Sequence, residues 1–146
     1  MKTSKITLSF LIICCLLAIA PLFGAEPPDA FAGTWRFEPK VDRTIQLQYK
    51  ELMSKPFELT FAKDSAGKWV ITGNPFGFLP GKCKLKSATP GGNFEASTPY
   101  SVTEGGNTRE FDISLRGSLN KDSSTISFGK FTGVIGTGTF TATKVK

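Results

Sequence analysis

Short runs in which every second residue is apolar, broken every few residues by Gly, Pro, Asn or Asp, repeat along most of this chain. Such runs suit strands buried on one face only, joined by tight turns. Phe57, Leu59 and Phe61 share one face and Glu58 and Thr60 the other. Trp69 and Ile71 oppose Lys68, Val70 and Thr72, and Cys83 and Leu85 oppose Lys82, Lys84 and Lys86. Phe94, Ala96, Thr98, Tyr100 and Val102 follow one another on a single face. Phe111, Ile113 and Leu115 oppose Glu110, Asp112, Ser114 and Arg116. Ile126 and Phe128 come next on the inner face. Phe131 then falls out of phase, which makes Gly129 the natural place for a bulge. Gly138, Phe140 and Ala142 close the series against Thr137, Thr139, Thr141 and Thr143.

With residues 33–37, the pattern predicts about eight strands. Turn signals separate them at 64–67, 73–75, 89–92, 104–107, 120–123 and 136–138. Consecutive strands with short connections favour an all-β, antiparallel up-and-down β-barrel, because closing the sheet removes its edges. One stretch departs from this. Residues 43–54 contain no Gly or Pro and are rich in Gln, Lys, Glu, Leu and Met, which favours a short helix after the first strand. Asp42 would cap it, with Ile45, Tyr49, Leu52 and Met53 on one face. Ile45, Leu47 and Tyr49 also alternate as a strand would.

The first 25 residues read as a secretory signal. Lys2 and Lys5 precede an uncharged apolar run from Ile6 to Ile19, and small residues lead to Ala25. The run is short for a membrane span, which needs about 20 residues. Cleavage after Ala25 would leave residues 26–146 as one exported domain, secreted or periplasmic. It would also remove Cys14 and Cys15 and leave Cys83 alone, so no intrachain disulfide could form and stability would rest on packing. The formal net charge of +6 loses two lysines with the signal, and no Arg/Lys cluster of nucleic-acid type is present.

Phe31-Ala32-Gly33-Thr34-Trp35 resembles the opening of the calycin superfamily, the lipocalins and fatty-acid-binding proteins, in which a Gly-x-Trp starts the first strand. The stretches 57–69 and 136–145 are similar to exported bacterial lipocalin-like domains. The resemblance implies a barrel whose closed end is plugged by Trp35, with a short helix near one end. It also implies an Arg packed over the Trp just after the last strand, where this chain offers Lys144 and Lys146.

Catalytic chemistry has little material. The chain has no histidine, so it lacks the commonest general base near neutral pH and the commonest zinc ligand. Cys83 has no histidine to activate it, no Gly-x-Ser-x-Gly occurs, and Glu110 and Asp112 fall on an outward face. Gly91-Gly92 and Gly105-Gly106 open no helix, as a phosphate cradle would require. The expected role is therefore non-catalytic, with no cofactor and no metal: binding of a small apolar or amphipathic molecule in the barrel. Phe37, Trp69, Tyr100 and Phe111 would line the site, with Phe76 and Phe78 at its entrance. An eight-stranded barrel can instead be filled by its own side chains, which would leave an envelope-associated protein-interaction module. The apolar loop 74–81 would then plug one end, or with Lys82, Lys84 and Lys86 meet a protein or a membrane surface through residues 74–86. The same lysines also suit a guarded edge strand.

Overall fold

Period-2 alternation turns one side of each strand inward, and eight strands wrap these sides around a common interior. The structure, a computed structural model, describes residues 29–79 and 81–145. The export-signal reading of residues 1–25 falls outside this range. A 3-10 turn, Asp29–Phe31, leads into β1, Gly33–Thr44, followed by the helix α1, Leu47–Met53. Next come β2, Phe57–Lys63, β3, Trp69–Thr72, and a second 3-10 turn, Pro75–Gly77. The chain ends with β4, Lys84–Ala88, β5, Asn93–Glu104, β6, Asn107–Leu119, β7, Thr125–Thr132, and β8, Gly136–Lys144.

Every strand pair is antiparallel, in the order β3-β2-β1-β8-β7-β6-β5-β4. The first and last strands pair from Trp35↔Lys144 to Thr44↔Gly136, so the barrel seals there. It stays unsealed between β3 and β4, the two outer strands of that order. The expected loss of all edges is thus corrected to a nearly closed barrel with two edges. Lys82, Lys84 and Lys86 are exposed on and beside the β4 edge, where their charge opposes pairing with another chain. Pro39 and Pro99 lie where β1 and β5 have each run beyond one of their neighbours, so a missing amide costs no ladder bond there.

Two sequence expectations change. First, β1 extends through Asp42, so Asp42 cannot cap α1. Gln46 holds that position and makes no side-chain cap bond. Met53 is buried and Tyr49 half-buried, whereas Ile45 and Leu52 face outward. Second, Phe128 does not face inward. Between Ile126↔Ala142 and Gly129↔Phe140 two residues of β7, Ser127 and Phe128, oppose one of β8, Thr141, and the same two-against-one offset recurs against β6. The bulge falls at Phe128 and restores Gly129 and Phe131 to the inner face. Gly129 is required there, because a Cβ would lie 2.5 Å from the Phe140 carbonyl oxygen.

Candidate functional site

The interior is a continuous column of aromatic rings. Phe31 lies 5.0 Å from Trp35 and 4.9 Å from Phe61, between ring centroids. Trp35 is fully buried and donates from Nε1 to the Phe31 carbonyl oxygen at 3.0 Å. Phe94 touches Phe31, Phe37, Phe61 and Phe140 at 6.1–6.5 Å. Phe37 stacks on Phe57 at 5.0 Å, Phe57 meets Phe76 at 5.0 Å, and Phe76 meets Phe131 at 4.9 Å. The column runs from Phe31 of the Asp29–Phe31 turn at one end to Phe76 of the Pro75–Gly77 turn at the other. Large rings at offset and edge-on angles use the interior volume efficiently.

The six residues expected to bind a ligand are therefore scattered. Phe37 and Phe76 belong to the column and are buried. Trp69 lies at the Phe31 end, 5.9 Å from that ring and under the Lys63 ammonium at 5.4 Å. Phe78 leaves the interior, rests 6.3 Å from Tyr49 of α1 and is 38 % exposed. The 74–81 loop thus divides its labour: Phe76 and Leu79 plug the barrel while Phe78 stays at the surface.

Only Tyr100 and Phe111 come together among the six, with ring centroids 5.6 Å apart. They mark the helix-bearing end of the barrel, where the β5–β6 hairpin projects. A cleft of about 270 Å³ opens there, lined by Ile45, Val102, Glu104, Arg109, Phe111, Val134 and Ile135, with Asn107 at its margin. Its buried side is apolar, formed by Ile135 with half-buried Val102 and Phe111, and its exposed rim mixes Ile45 and Val134 with Glu104 and Arg109. Among the described residues neither Arg109 nor Glu104 forms an ion pair. The Tyr100 hydroxyl lies beside the Ile135 and Val134 amides without reaching hydrogen-bond geometry. Burial pushes the Tyr100 phenol up, and those two amides partly oppose the shift. The Thr98 hydroxyl, two residues earlier on the same face, is also buried and unpartnered. Buried polar atoms without partners are uncommon, and each raises the question of what would satisfy it.

Arg109 and Glu104 were legible in principle. The inner-face alternation of β5 and β6 needs only one further step past Val102 and Phe111 to reach them. Val134-Ile135 carried a second signal, an apolar pair inside the tight β7–β8 turn. Comparison with protein-family models, with curated proteins and with solved structures gives no match for this chain.

Proposed function

We propose that the chain is an exported, non-catalytic barrel that holds a small amphipathic molecule at its helix-bearing end. The supporting observation is the cleft at this end, with buried Tyr100 packed against three of its lining residues, Phe111, Val134 and Ile135. An apolar portion of the ligand would rest on Phe111, Val102 and Ile135, and a polar portion would face Arg109 and Glu104 at the mouth. A hydrogen-bonding group reaching inward would satisfy the Tyr100 hydroxyl. The cleft is small, so the ligand is either short or partly exposed. The calycin resemblance of Gly33 and Trp35 favours the same class of role.

A second reading, a protein-interaction module, draws on the completeness of the aromatic column, which leaves the surface as the place for contacts. Native mass spectrometry of protein purified from its host's exported fraction, with organic extraction, separates the two. A co-purifying amphiphile whose retention falls with Arg109→Ala and Phe111→Ser supports the first reading. A bare polypeptide mass, with no added amphiphile perturbing the Tyr100 or Phe111 resonances, would leave the second.

A further inference from the structure

Among the described residues Phe128 is the most exposed large apolar side chain, at 87 %. Its φ of 52° lies in the left-handed region, where a bulky side chain is strained. Glycine would take this backbone without strain and would leave no ring in water. Neither the bulge nor the core therefore accounts for a phenylalanine here, and strain of this kind persists mainly where a function depends on it.

The surroundings identify a ligand chemistry. Phe128 stands as a ridge between two grooves on the outer wall. One, of about 700 Å³, is lined by Glu38, Lys40, Ser127, Lys130, Thr139 and Thr141 beside the ring. The other is lined by Ser114, Arg116, Lys130 and Thr132. Strand register places Lys40, Thr139, Lys130 and Arg116 in one cross-strand row. Lys130 and Arg116 are direct partners, and like charges so placed repel. Glu95 accepts a hydrogen bond from Arg116 at 3.2 Å and offsets that charge. Lys40 and Lys130 have no ion-pair partner among the described residues. Two strand spacings separate them, about 10 Å.

We propose that this wall binds an acidic polysaccharide, with one sugar ring stacked on Phe128 and the anionic groups of the chain lying against Lys40 and Lys130. The C–H face of a sugar ring is weakly positive and complements the negative face of the aromatic ring. Ser127, Thr139 and Thr141 present hydroxyls that both donate and accept, as sugar hydroxyls require. Spaced lysines suit charges repeated along a polymer better than a single small ion. A lipid surface would find one exposed ring to insert, because Phe140, the other large apolar residue lining the groove, is buried. A nucleobase would find the ring but no Asn, Gln or free Arg to read its edges. The surface is separate from the cleft beside Phe111, so this inference does not depend on the ligand proposed there.

The test is titration of the full chain with a polygalacturonate hexamer, followed by NMR and by calorimetry in low and high salt. The hexamer is expected to bind and to weaken as salt rises. Phe128→Gly is expected to reduce affinity by about tenfold while making the protein more resistant to urea. The double variant Lys40→Gln, Lys130→Gln is expected to lose most of the salt dependence with its fold intact. No detectable binding, or binding unchanged by Phe128→Gly, would overturn the proposal. So would Phe128→Gly unfolding at lower urea than the parent, since the ring would then be a packing element. Equal, Phe128-dependent binding of a neutral glucan hexamer, a thymidine hexanucleotide or phosphatidylglycerol vesicles would also overturn it and reassign the surface.

Discussion

Lys144 donates a hydrogen bond from Nζ to the Ala30 carbonyl oxygen at 2.6 Å, which ties the last strand to the turn that carries Phe31. Its stem lies where a Gly33 side chain would be: a Cβ at Gly33 would come within 2.8 Å of the Lys144 Cε. Gly33, at φ 132°, thus combines a backbone few other residues adopt with room for the lysine. This link joins the Trp35 Nε1 bond to the Phe31 carbonyl and the Lys63–Asp29 ion pair in fastening the plug formed by Phe31 over Trp35. Lys144→Ala should cost about 1 kcal/mol. Phe31→Ala, which empties the end of the column, should cost about 3–5 kcal/mol. Urea unfolding followed by tryptophan fluorescence measures both.

Tyr100→Phe should stabilise the protein by about 1 kcal/mol, because it removes a buried hydroxyl that has no partner. The same change should weaken any ligand that satisfies that hydroxyl. Thermal unfolding with and without the extracted amphiphile checks both signs. A loss of stability would show that the Ile135 and Val134 amides already satisfy the phenol.

The two aromatic residues of the 74–81 loop should behave differently. Phe76 is buried between Phe57 and Phe131, so Phe76→Ala should cost about 3–5 kcal/mol through the cavity it leaves. Phe78 meets only the edge of the molecule near Tyr49, so Phe78→Ser should cost less than about 1 kcal/mol. Equilibrium denaturation of the two variants side by side is sufficient.

Gly138 has no room for a side chain. A Cβ there would lie 2.6 Å from the Phe131 ring and would press on the Lys40 backbone. Gly138→Ala should therefore destabilise by about 1–3 kcal/mol through overpacking. Gly105→Ala, at a turn with open space around it, should cost only the backbone strain of its positive φ, about 1 kcal/mol. Comparing their unfolding midpoints separates crowding from strain.

Burial pushes the Cys83 thiol up from 9.0 to about 12, against a smaller opposing effect of the Lys84 backbone. The folded chain therefore keeps its proton while the unfolded chain loses it. This contribution is complete below about pH 9 and falls between about pH 9 and 12, by up to about 1.4 kcal/mol per pH unit. Cys83→Ala should be less stable than the parent near neutrality, and the difference should shrink as pH rises. Iodoacetamide should label Cys83 only after unfolding, because the thiolate is the reactive form.

The legible part of the fold was its local periodicity. Phe57, Leu59 and Phe61, and Phe94, Ala96, Thr98 and Tyr100, point inward because adjacent residues of a strand must face opposite sides. The helix after β1 followed from residue type, although its start shifted from Asp42 because pairing with β8 extends β1 to Thr44. Of the six residues expected to bind a ligand, only Tyr100 and Phe111 fall at the candidate site, and continuing the same alternation reaches Glu104 and Arg109. Phe37 and Trp69 carry the same inward signal, and the sequence does not encode how much interior volume their neighbours already occupy.

Alternation, turn residues and residue volume are local properties, and by themselves they determined the number of strands, the antiparallel class and the strand faces away from the bulge in β7. Tertiary structure alone decided where the barrel stays unsealed, which end retains a cleft and which way Phe128 points. Sealing of β1 on β8 is a pairing between the first and last strands, far apart in sequence, and its register sets how the other strands wrap. The bulge at Phe128 exists because Ile126 and Phe131 must both reach the core although their spacing is odd. That conflict is resolved by long-range packing, and the ring it expels becomes the feature of the outer wall that most needs a partner.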